Sequence, residues 1–170
     1  MSLIIRALLP SDCPQISAAF RAQGWQDKST AQYEGYLKLQ ESGQRDILVA
    51  EVGGAFAGYL TINWTSHYPP FRQQEIPEIV DFNVLKKFQR QGIGSALMSA
   101  VERRIAKKSA YAGIGVGMTA DYGAAQILYH HRGYVPDGHG LYWDDQPLKY
   151  GDQVTVDDGL ALHFIKRVRD

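Results

Sequence analysis

The sequence has a single cysteine, Cys13, in 170 residues. One cysteine excludes an internal disulfide and is typical of a protein from a reducing compartment. Long apolar runs are also missing. The apolar stretch at the start, residues 3–5, is too short for a signal peptide, and no other stretch is long enough to span a bilayer. We therefore expect a cytoplasmic protein that does not interact with membranes.

An excess of charge of either sign is missing as well. The sequence has 18 basic and 18 acidic residues, a net charge of zero and a hydrophobic fraction of 45%. A neutral chain argues against a general nucleic-acid binder, which would carry a basic surplus. The composition favours a folded globular protein. No linker or repeat interrupts the chain, and its length predicts one domain over residues 1–170.

Patterns for metal binding and for hydrolysis are not found either. His130 and His131 are adjacent on a predicted helix, about 100° apart, so they cannot chelate one ion together. No His-x₃-His pair or cysteine cluster exists, and we expect no metal. Ser95 is not part of Gly-x-Ser-x-Gly, which excludes a hydrolase elbow. The alternating glycines of residues 113–117 lie inside a predicted strand and indicate close packing rather than dinucleotide binding.

The most informative feature present is a strand, a basic turn and an amphipathic helix in succession. Gln89-x-x-Gly92-x-Gly94 lies between the strand 76–84 and the helix. Two glycines at a helix start let the backbone approach a ligand, because no side chain blocks it. The unpaired N–H groups and the positive dipole end of the first turn suit a phosphate. The segment predicts a site for a cofactor that carries a pyrophosphate.

The remaining segments predict a mixed α/β fold. Further strands are expected at residues 3–8, 47–52, 55–64, 111–119, 134–135 and 160–168. Further helices are expected at residues 14–22, from 29 or 30 to about 42, and at 123–132. Ser11 or Asp12 is expected to cap the first of these helices, and Gly53–Gly54 predicts a hairpin. Residues 67–70 are expected to form a loop, and residues 137–159 a long polar connection.

A second motif follows the first, and together they resemble a known family. Leu128, Tyr129, Gly133 and Tyr134 form Leu-Tyr-x-x-x-Gly-Tyr, on a predicted helix that ends at Gly133. With the glycine turn, this motif is similar to the GNAT superfamily of acyl-CoA-dependent N-acyltransferases. The resemblance implies a mixed, mostly antiparallel sheet of about seven strands. About four helices would flank the sheet, which would splay at its central strand.

The resemblance also implies the cofactor and its contacts. Acetyl-CoA would be the co-substrate, with its pyrophosphate held by the amides of residues 91–95 and its pantetheine arm paired with the strand that ends at Val84. The candidate cofactor-binding residues are Phe82, Val84, Gln89, Arg90, Gln91, Gly92, Ile93, Gly94, Ser95 and Ala125. One departure concerns Tyr122, which stands where the family often carries asparagine. The hydrogen bond that this asparagine usually makes to the pantetheine arm is therefore either missing or made by Asp121 or Tyr122.

The chemistry of acyl transfer to an amine requires a base, an oxyanion donor and an acid. Tyr129, at the tyrosine position of the second motif, is the candidate acid; the alternative is a half-buried core aromatic. Glu78 and Asp81 are both candidate bases, and Glu78 matches the carboxylate of the histone-acetylating branch. Strand alternation puts them on opposite faces unless a bulge intervenes, and a plain surface carboxylate remains an alternative for both. The oxyanion donor is expected to be a backbone N–H near Val84.

Candidate residues for the acceptor pocket come from several segments of the chain. Aromatic side chains that could wall its pocket are Trp25, Tyr33, Tyr36, Trp64, His67 and Tyr68. Acidic side chains that could attract a cationic amine are Asp27, Glu34, Asp144 and Asp145. These aromatic and acidic side chains favour direct acetyl transfer to a primary amine of a small molecule. A protein N-terminal or lysine acetyltransferase and a non-catalytic CoA-binding module are the alternatives, and the late strands offer an edge for a homodimer.

Overall fold

The computed structural model describes residues 2–170, which contain eight strands and five α-helices. The strands are β1 (Leu3–Ala7), β2 (Arg45–Val52), β3 (Ala55–Asn63), β4 (Glu78–Val84), β5 (Tyr111–Gly117), β6 (Val135–Trp143), β7 (Gln146–Pro147) and β8 (Leu160–Arg167). The helices are α1 (Asp12–Ala22), α2 (Thr30–Glu41), α3 (Pro69–Gln73), α4 (Ile93–Ala106) and α5 (Gly123–His131). Two short 3₁₀ turns, Lys86–Phe88 and Ala120–Tyr122, precede α4 and α5.

The predicted fold class is confirmed: the chain is mixed α/β, and its strands are mostly antiparallel. β4 and β5 pair in parallel at Glu78 with Gly113 and at Ile79 with Ile114. The strand β4 continues to Val84. The pairing with β5 therefore covers the first two residues of β4.

The chain divides into two compact units, and β4 contributes to both. The first unit contains the described residues up to Trp64 together with Val80–Arg103. Its strands follow the order β1-β2-β3-β4. Its core combines aliphatic and aromatic side chains: Leu8, Cys13, Ile16, Phe20, Tyr33, Ile47, Val49, Tyr59 and Leu85.

The second unit contains Thr65–Ile79 and Arg104–Asp170. Its strands follow the order β4-β5-β8-β6-β7. Its core cluster is Tyr68, Phe71, Ile76 and Tyr142. The expectation of one domain over residues 1–170 stays a prediction.

Two expectations for the second unit are wrong. Residues 67–70 do not form only a loop, because α3 begins at Pro69, a residue that suits the first turn of a helix. Within residues 137–159, β6 and β7 form a hairpin in which Trp143 pairs with Gln146. Its turn residues, Asp144 and Asp145, have φ values of 45° and 60°. Aspartate tolerates this left-handed region, but Asp-Asp is not the usual sequence signal for such a turn.

Local signals predicted the first unit better. Ser29 caps α2 by accepting a hydrogen bond from the Gln32 N–H at 3.2 Å, and Gly53 and Gly54 form the turn between β2 and β3. At α1, the Ser11 side chain makes no capping bond; Asp12 instead accepts from the Leu9 N–H at 2.7 Å and binds Arg6. The carboxylate therefore braces the chain before the helix.

The glycines of β5 are sites of close packing, as predicted. A Cβ at Gly113 would collide with the Phe71 ring, and a Cβ at Gly117 would collide with the Tyr122 ring. Only a residue without a side chain fits at either position. The Phe71 ring of α3 can therefore pack in this position only because residue 113, more than 40 residues later in the chain, is glycine.

Candidate active site

The turn between β4 and α4 depends on the backbone freedom of Gly92. Its φ is 81°, a left-handed value that residues with a Cβ rarely adopt, and Arg90 just before it has a φ of 58°. Nothing lies within 4 Å of the position that a Gly92 Cβ would occupy. The conformation, and not crowding, therefore calls for glycine here. The surface of the turn is open, because Gln91, Gly92 and Ser95 are exposed.

Gly94 has a different role in the same turn. A Cβ on Gly94 would lie 3.1 Å from Cζ of Phe82, so α4 begins in close contact with that ring of β4. Val84, also on β4, packs as closely against Gly58 of β3. The two cofactor candidates Phe82 and Val84 are half-buried at the end of β4. The helix start is thus fixed to the strand by contacts that need no side chain on Gly94 or Gly58.

The amides at the start of α4 belong to the turn that the sequence predicts to bind an anion. The Ala96 N–H donates to the Gly92 carbonyl at 3.0 Å as the first bond of the helix. The amides of Ile93 and Gly94 come before it and so have no carbonyl partner within the helix. The Ile93 side chain itself is buried. The exposed cations Lys86, Lys87 and Arg90 surround this turn in sequence.

Two glutamines brace the turn from within. Gln89 Nε2 donates to the Val84 carbonyl at 3.0 Å, and Gln91 Nε2 donates to the Lys87 carbonyl at 2.9 Å. Both side chains were predicted to contact the cofactor, and that contact stays a prediction. The structure gives them a further task that the motif did not suggest, since each ties the turn to the residues just before it.

Asp81 interrupts the regular geometry of β4. Its φ is 52°, and its side chain lies on the same side as Asn83, whose Nδ2 donates to Oδ1 at 2.8 Å. Four more donors reach the carboxylate: Lys28 Nζ at 2.8 Å, Tyr59 OH at 2.6 Å, Tyr36 OH at 2.8 Å and Gln32 Nε2 at 3.3 Å. All of these residues belong to the first unit.

The surroundings of Asp81 make it a weak base. Burial opposes its charged form, but the Lys28 ammonium and the hydrogen bonds of Lys28, Tyr59 and Tyr36 outweigh burial and hold the pKa of the carboxyl below its usual value. A carboxylate that is so well solvated by donors accepts a proton reluctantly. The structure therefore favours a binding task for Asp81 over the role of general base, which stays untested.

Glu78, the other candidate base, belongs to the second unit and is buried. Ser66 Oγ donates a short hydrogen bond to its Oε2, and His163 Nε2 lies 3.8 Å from its Oε1. His163 comes from β8, where it pairs with Gly115 of β5. Sequence reasoning missed His163, because nothing local connects it with a residue 85 positions earlier.

His163 is held as a neutral imidazole. Burial lowers the pKa of His163 to about 4, although Asp137 and Asp145 act in the opposite direction. The ring stacks on Tyr68 with 3.5 Å between centroids. The Tyr68 hydroxyl donates to Asp137 at 2.7 Å. Tyr68 is fully buried, and so is Tyr33 of α2; both were expected to wall the acceptor pocket, and both belong to the cores instead.

Tyr129, the candidate acid, lies on α5 and is 5% exposed. Burial raises the pKa of Tyr129, so the phenol keeps its proton at neutral pH. The candidate Ala125 lies one helical turn earlier on α5 and is half-buried. Tyr122, which replaces the expected asparagine, uses its hydroxyl to donate to Asp158 at 2.9 Å.

Neither a membrane span nor a metal cluster is found among residues 2–170. No helix there is long and apolar enough to cross a bilayer. No group of three or more histidine, cysteine or acidic side chains in that range is arranged to hold an ion.

Solved structures share this fold at low sequence identity. The yncA acetyltransferase of Salmonella typhimurium, solved with acetyl-CoA, is 16% identical, with a TM-score of 0.70 over 100% of this chain and 96% of that chain. A ribosomal-protein-alanine N-acetyltransferase of Brucella melitensis is 19% identical, with a TM-score of 0.68 over 96% and 99%. A chimera of the Vibrio cholerae spermidine N-acetyltransferase SpeG and hSSAT is 14% identical, with a TM-score of 0.70 over 99% and 96%.

The sequence comparisons identify the family. No curated protein sequence matches the chain. The sequence model of the acetyltransferase (GNAT) family matches residues 10–134, which contain the glycine turn and the second motif. These residues make up well over half of the chain, and the fold agrees. The chain therefore belongs to the GNAT family and is an N-acetyltransferase.

Proposed function

We propose that this enzyme transfers an acetyl group from acetyl-CoA directly to a primary amine of a small molecule. The observation that carries the proposal is the turn at Gly92, where a left-handed glycine opens onto the first amides of α4. This arrangement suits a diphosphate, because backbone donors and the helix dipole meet there without an intervening side chain.

The same turn accounts for cofactor affinity. Hydrogen bonds to a charged group contribute about 1.5–3 kcal/mol each, so about four amides would supply most of the roughly 8 kcal/mol of a micromolar complex. The amides of residues 91–95 would hold the diphosphate, with Arg90 close in sequence. Phe82, Val84 and Ala125 are proposed to contact the pantetheine arm, and the Val84 region to supply an N–H to the oxyanion.

The reaction needs a neutral amine. An unperturbed alkylammonium has a pKa near 10.4, so only about one molecule in two thousand is deprotonated at pH 7. Glu78 is the proposed base, since it is buried beside a hydroxyl donor and a neutral imidazole. Tyr129 is the proposed acid: the amine nitrogen bonds to the carbonyl carbon, the carbon–sulfur bond breaks, and the phenol gives its proton to the departing thiolate.

The proposed acceptor is a small molecule because of what surrounds Asp81. A half-buried carboxylate beside the rings of Tyr36 and Tyr59 suits an alkylammonium. One structural neighbour is a spermidine N-acetyltransferase chimera, while another acts on a ribosomal protein. Transfer to a protein N-terminus or lysine is therefore the second candidate.

The test is an acceptor screen with acetyl-CoA, using small mono- and polyamines, aminoglycosides and peptides with free N-termini or lysines. Product mass identifies the acetylated amine. We expect turnover with small amines and not with peptides; exclusive turnover of peptides would contradict the proposal. Calorimetric binding of acetyl-CoA without turnover of any amine would indicate a non-catalytic CoA-binding module.

A further inference from the structure

A lysine of the chain itself is bound at Asp81. Lys28 lies between α1 and α2, outside regular structure. Its Nζ donates to Asp81 Oδ1 at 2.8 Å and to the Tyr59 hydroxyl at 3.3 Å, and it lies 5.9 Å from the centre of the Tyr59 ring. The side chains of Lys28 and Asp81 are 15% and 17% exposed. A carboxylate, a hydroxyl and an aromatic face together form a site for a primary ammonium.

The remaining donors at this site are neutral. Tyr36, Tyr59, Gln32 and Asn83 orient the carboxylate without balancing its charge. Lys28 is the ion-pair partner of Asp81. If Lys28 withdrew, a largely buried negative charge would remain, and it would strongly favour binding another cation of the same shape.

We propose that Lys28 occupies the ammonium subsite of the acceptor and that an incoming alkylammonium displaces it from Asp81. This inference rests on the proposed function and narrows its acceptor to compounds with at least two amines. One amine is held as an ammonium at Asp81, and the other is acetylated. The tight hydrogen bonding of Asp81 suits this division, because such a carboxylate holds an ammonium without taking its proton.

Two features of the chain support displacement. Asp81 lies three residues before Val84 on β4, the strand proposed to pair with the pantetheine arm. An amine bound to Asp81 is therefore held by the same strand that is proposed to hold the cofactor. Lys28 belongs to a non-helical segment that also contains Gly24, with a φ of 94°. Its side chain can therefore leave without unwinding a helix or strand.

The experiment measures binding of 1,4-diaminobutane by calorimetry in the absence of acetyl-CoA. Removing a competing internal ligand raises apparent affinity by the inverse of the fraction of open sites. We expect Lys28→Ala to bind the diamine about tenfold more tightly than the wild-type protein. The gain should be lost in the double variant with Asp81→Asn. Equal affinity in Lys28→Ala and wild type, or a gain that survives Asp81→Asn, would overturn the proposal.

A second pair of variants keeps the test valid if Lys28→Ala fails to fold. Lys28→Gln keeps a hydrogen-bond donor near Asp81 but removes the charge, and Lys28→Arg keeps the charge and serves as the matched control. The diamine should raise the Tm of Lys28→Gln more than that of Lys28→Arg; equal shifts would count against displacement. Because the diamine binds without acetyl-CoA, a gain in binding without turnover rejects only the proposed reaction. Turnover without a gain rejects only the subsite.

Discussion

Glu78 and Asp81 are three residues apart on β4 but have different surroundings. Asp81 is charged and hydrogen-bonded by Lys28 and four neutral donors, whereas Glu78 is buried against Ser66 and a neutral His163. Strand alternation already predicts opposite faces for residues three apart, and Asp81 in addition takes a left-handed conformation within the strand. One carboxylate is thereby suited to hold a cation and the other to accept a proton. Strand alternation predicts that the two side chains lie on opposite faces, but it does not predict which carboxylate meets a cation, since both side chains carry the same chemical group.

Tyr129→Phe tests the proposed acid. The substitution removes the proton donor to the leaving thiolate while preserving the buried ring, so we expect kcat to fall on the order of 10²-fold. The KM for acetyl-CoA should remain unchanged, because the lost contact would act in the transition state. Steady-state kinetics with the best acceptor measure both values. Tyr150→Phe, at a fully exposed tyrosine, is the control, and an undiminished kcat in Tyr129→Phe would remove this residue from the mechanism.

His163 makes the stability of the protein sensitive to acid. Its pKa is about 4 in the folded chain and 6.5 ordinarily, so between these pH values the unfolded chain binds a proton that the folded chain does not. The free energy of unfolding therefore keeps its full value above pH 6.5. It falls by about 3 kcal/mol as the pH is lowered from 6.5 towards 4. Urea unfolding at several pH values should show this loss in the wild type and not in His163→Phe.

The control for this experiment is an exposed histidine. His67→Asn should keep the acid sensitivity of the wild type, because His67 is exposed. If His163→Phe lost stability between pH 6.5 and pH 4 as steeply as the wild type, the buried imidazole would not be the source of the effect.

The turn from β4 to α4 can be tested against a turn with the same backbone conformation. Gly92 and Gly54 have φ values of 81° and 80°, and both have open space where a Cβ would be placed. Alanine at either position introduces similar strain, on the order of 1–3 kcal/mol. We expect Gly92→Ala to lose at least about tenfold in acetyl-CoA affinity, since the amides would be re-aimed. Gly54→Ala should lose stability only, and calorimetry of both variants makes the comparison.

An equal loss of acetyl-CoA affinity in the two alanine variants would contradict the assignment of this turn to the diphosphate. Full affinity in Gly92→Ala would contradict it as well. The comparison is informative because Gly54 lies in the hairpin between β2 and β3, outside the residues proposed to hold the cofactor.

The two compact units could unfold together or separately, and tryptophan fluorescence can distinguish the two cases. Trp25 and Trp64 report on the first unit, and Trp143 reports on the second. We predict a single unfolding transition, as expected of one domain of this size. In Trp143→Phe, and separately in Trp25→Phe combined with Trp64→Phe, tryptophan fluorescence and far-UV circular dichroism should give the same urea midpoint. Two separated midpoints within either variant would show that the units unfold independently.

Short-range signals in the sequence were sufficient for much of this protein. Four features each depend on neighbouring residues: the glycine turn, the cap at Ser29, the Gly53–Gly54 hairpin and the left-handed Gly133 that follows the C-cap of α5. The buried stripe of α4, which includes Ile93, Leu97, Val101 and Ile105, follows from helical periodicity. Because the motifs of the family are made of such local features, the family and the fold class could be predicted from the chain.

Contacts between distant residues were decided only by the tertiary structure. The meeting of Lys28 with Asp81, and of Glu78 with His163, spans more than 50 residues in each case. The β6–β7 hairpin also depends on β8, which pairs with β6 and follows it by many residues. Periodicity predicts which face of a helix or strand is buried, but it does not predict which distant side chain will contact that face. The sequence by itself therefore determined the family and the position of the glycine turn proposed to hold the cofactor, and the packing of the chain determined which carboxylate pairs with Lys28 and which lies beside a neutral imidazole.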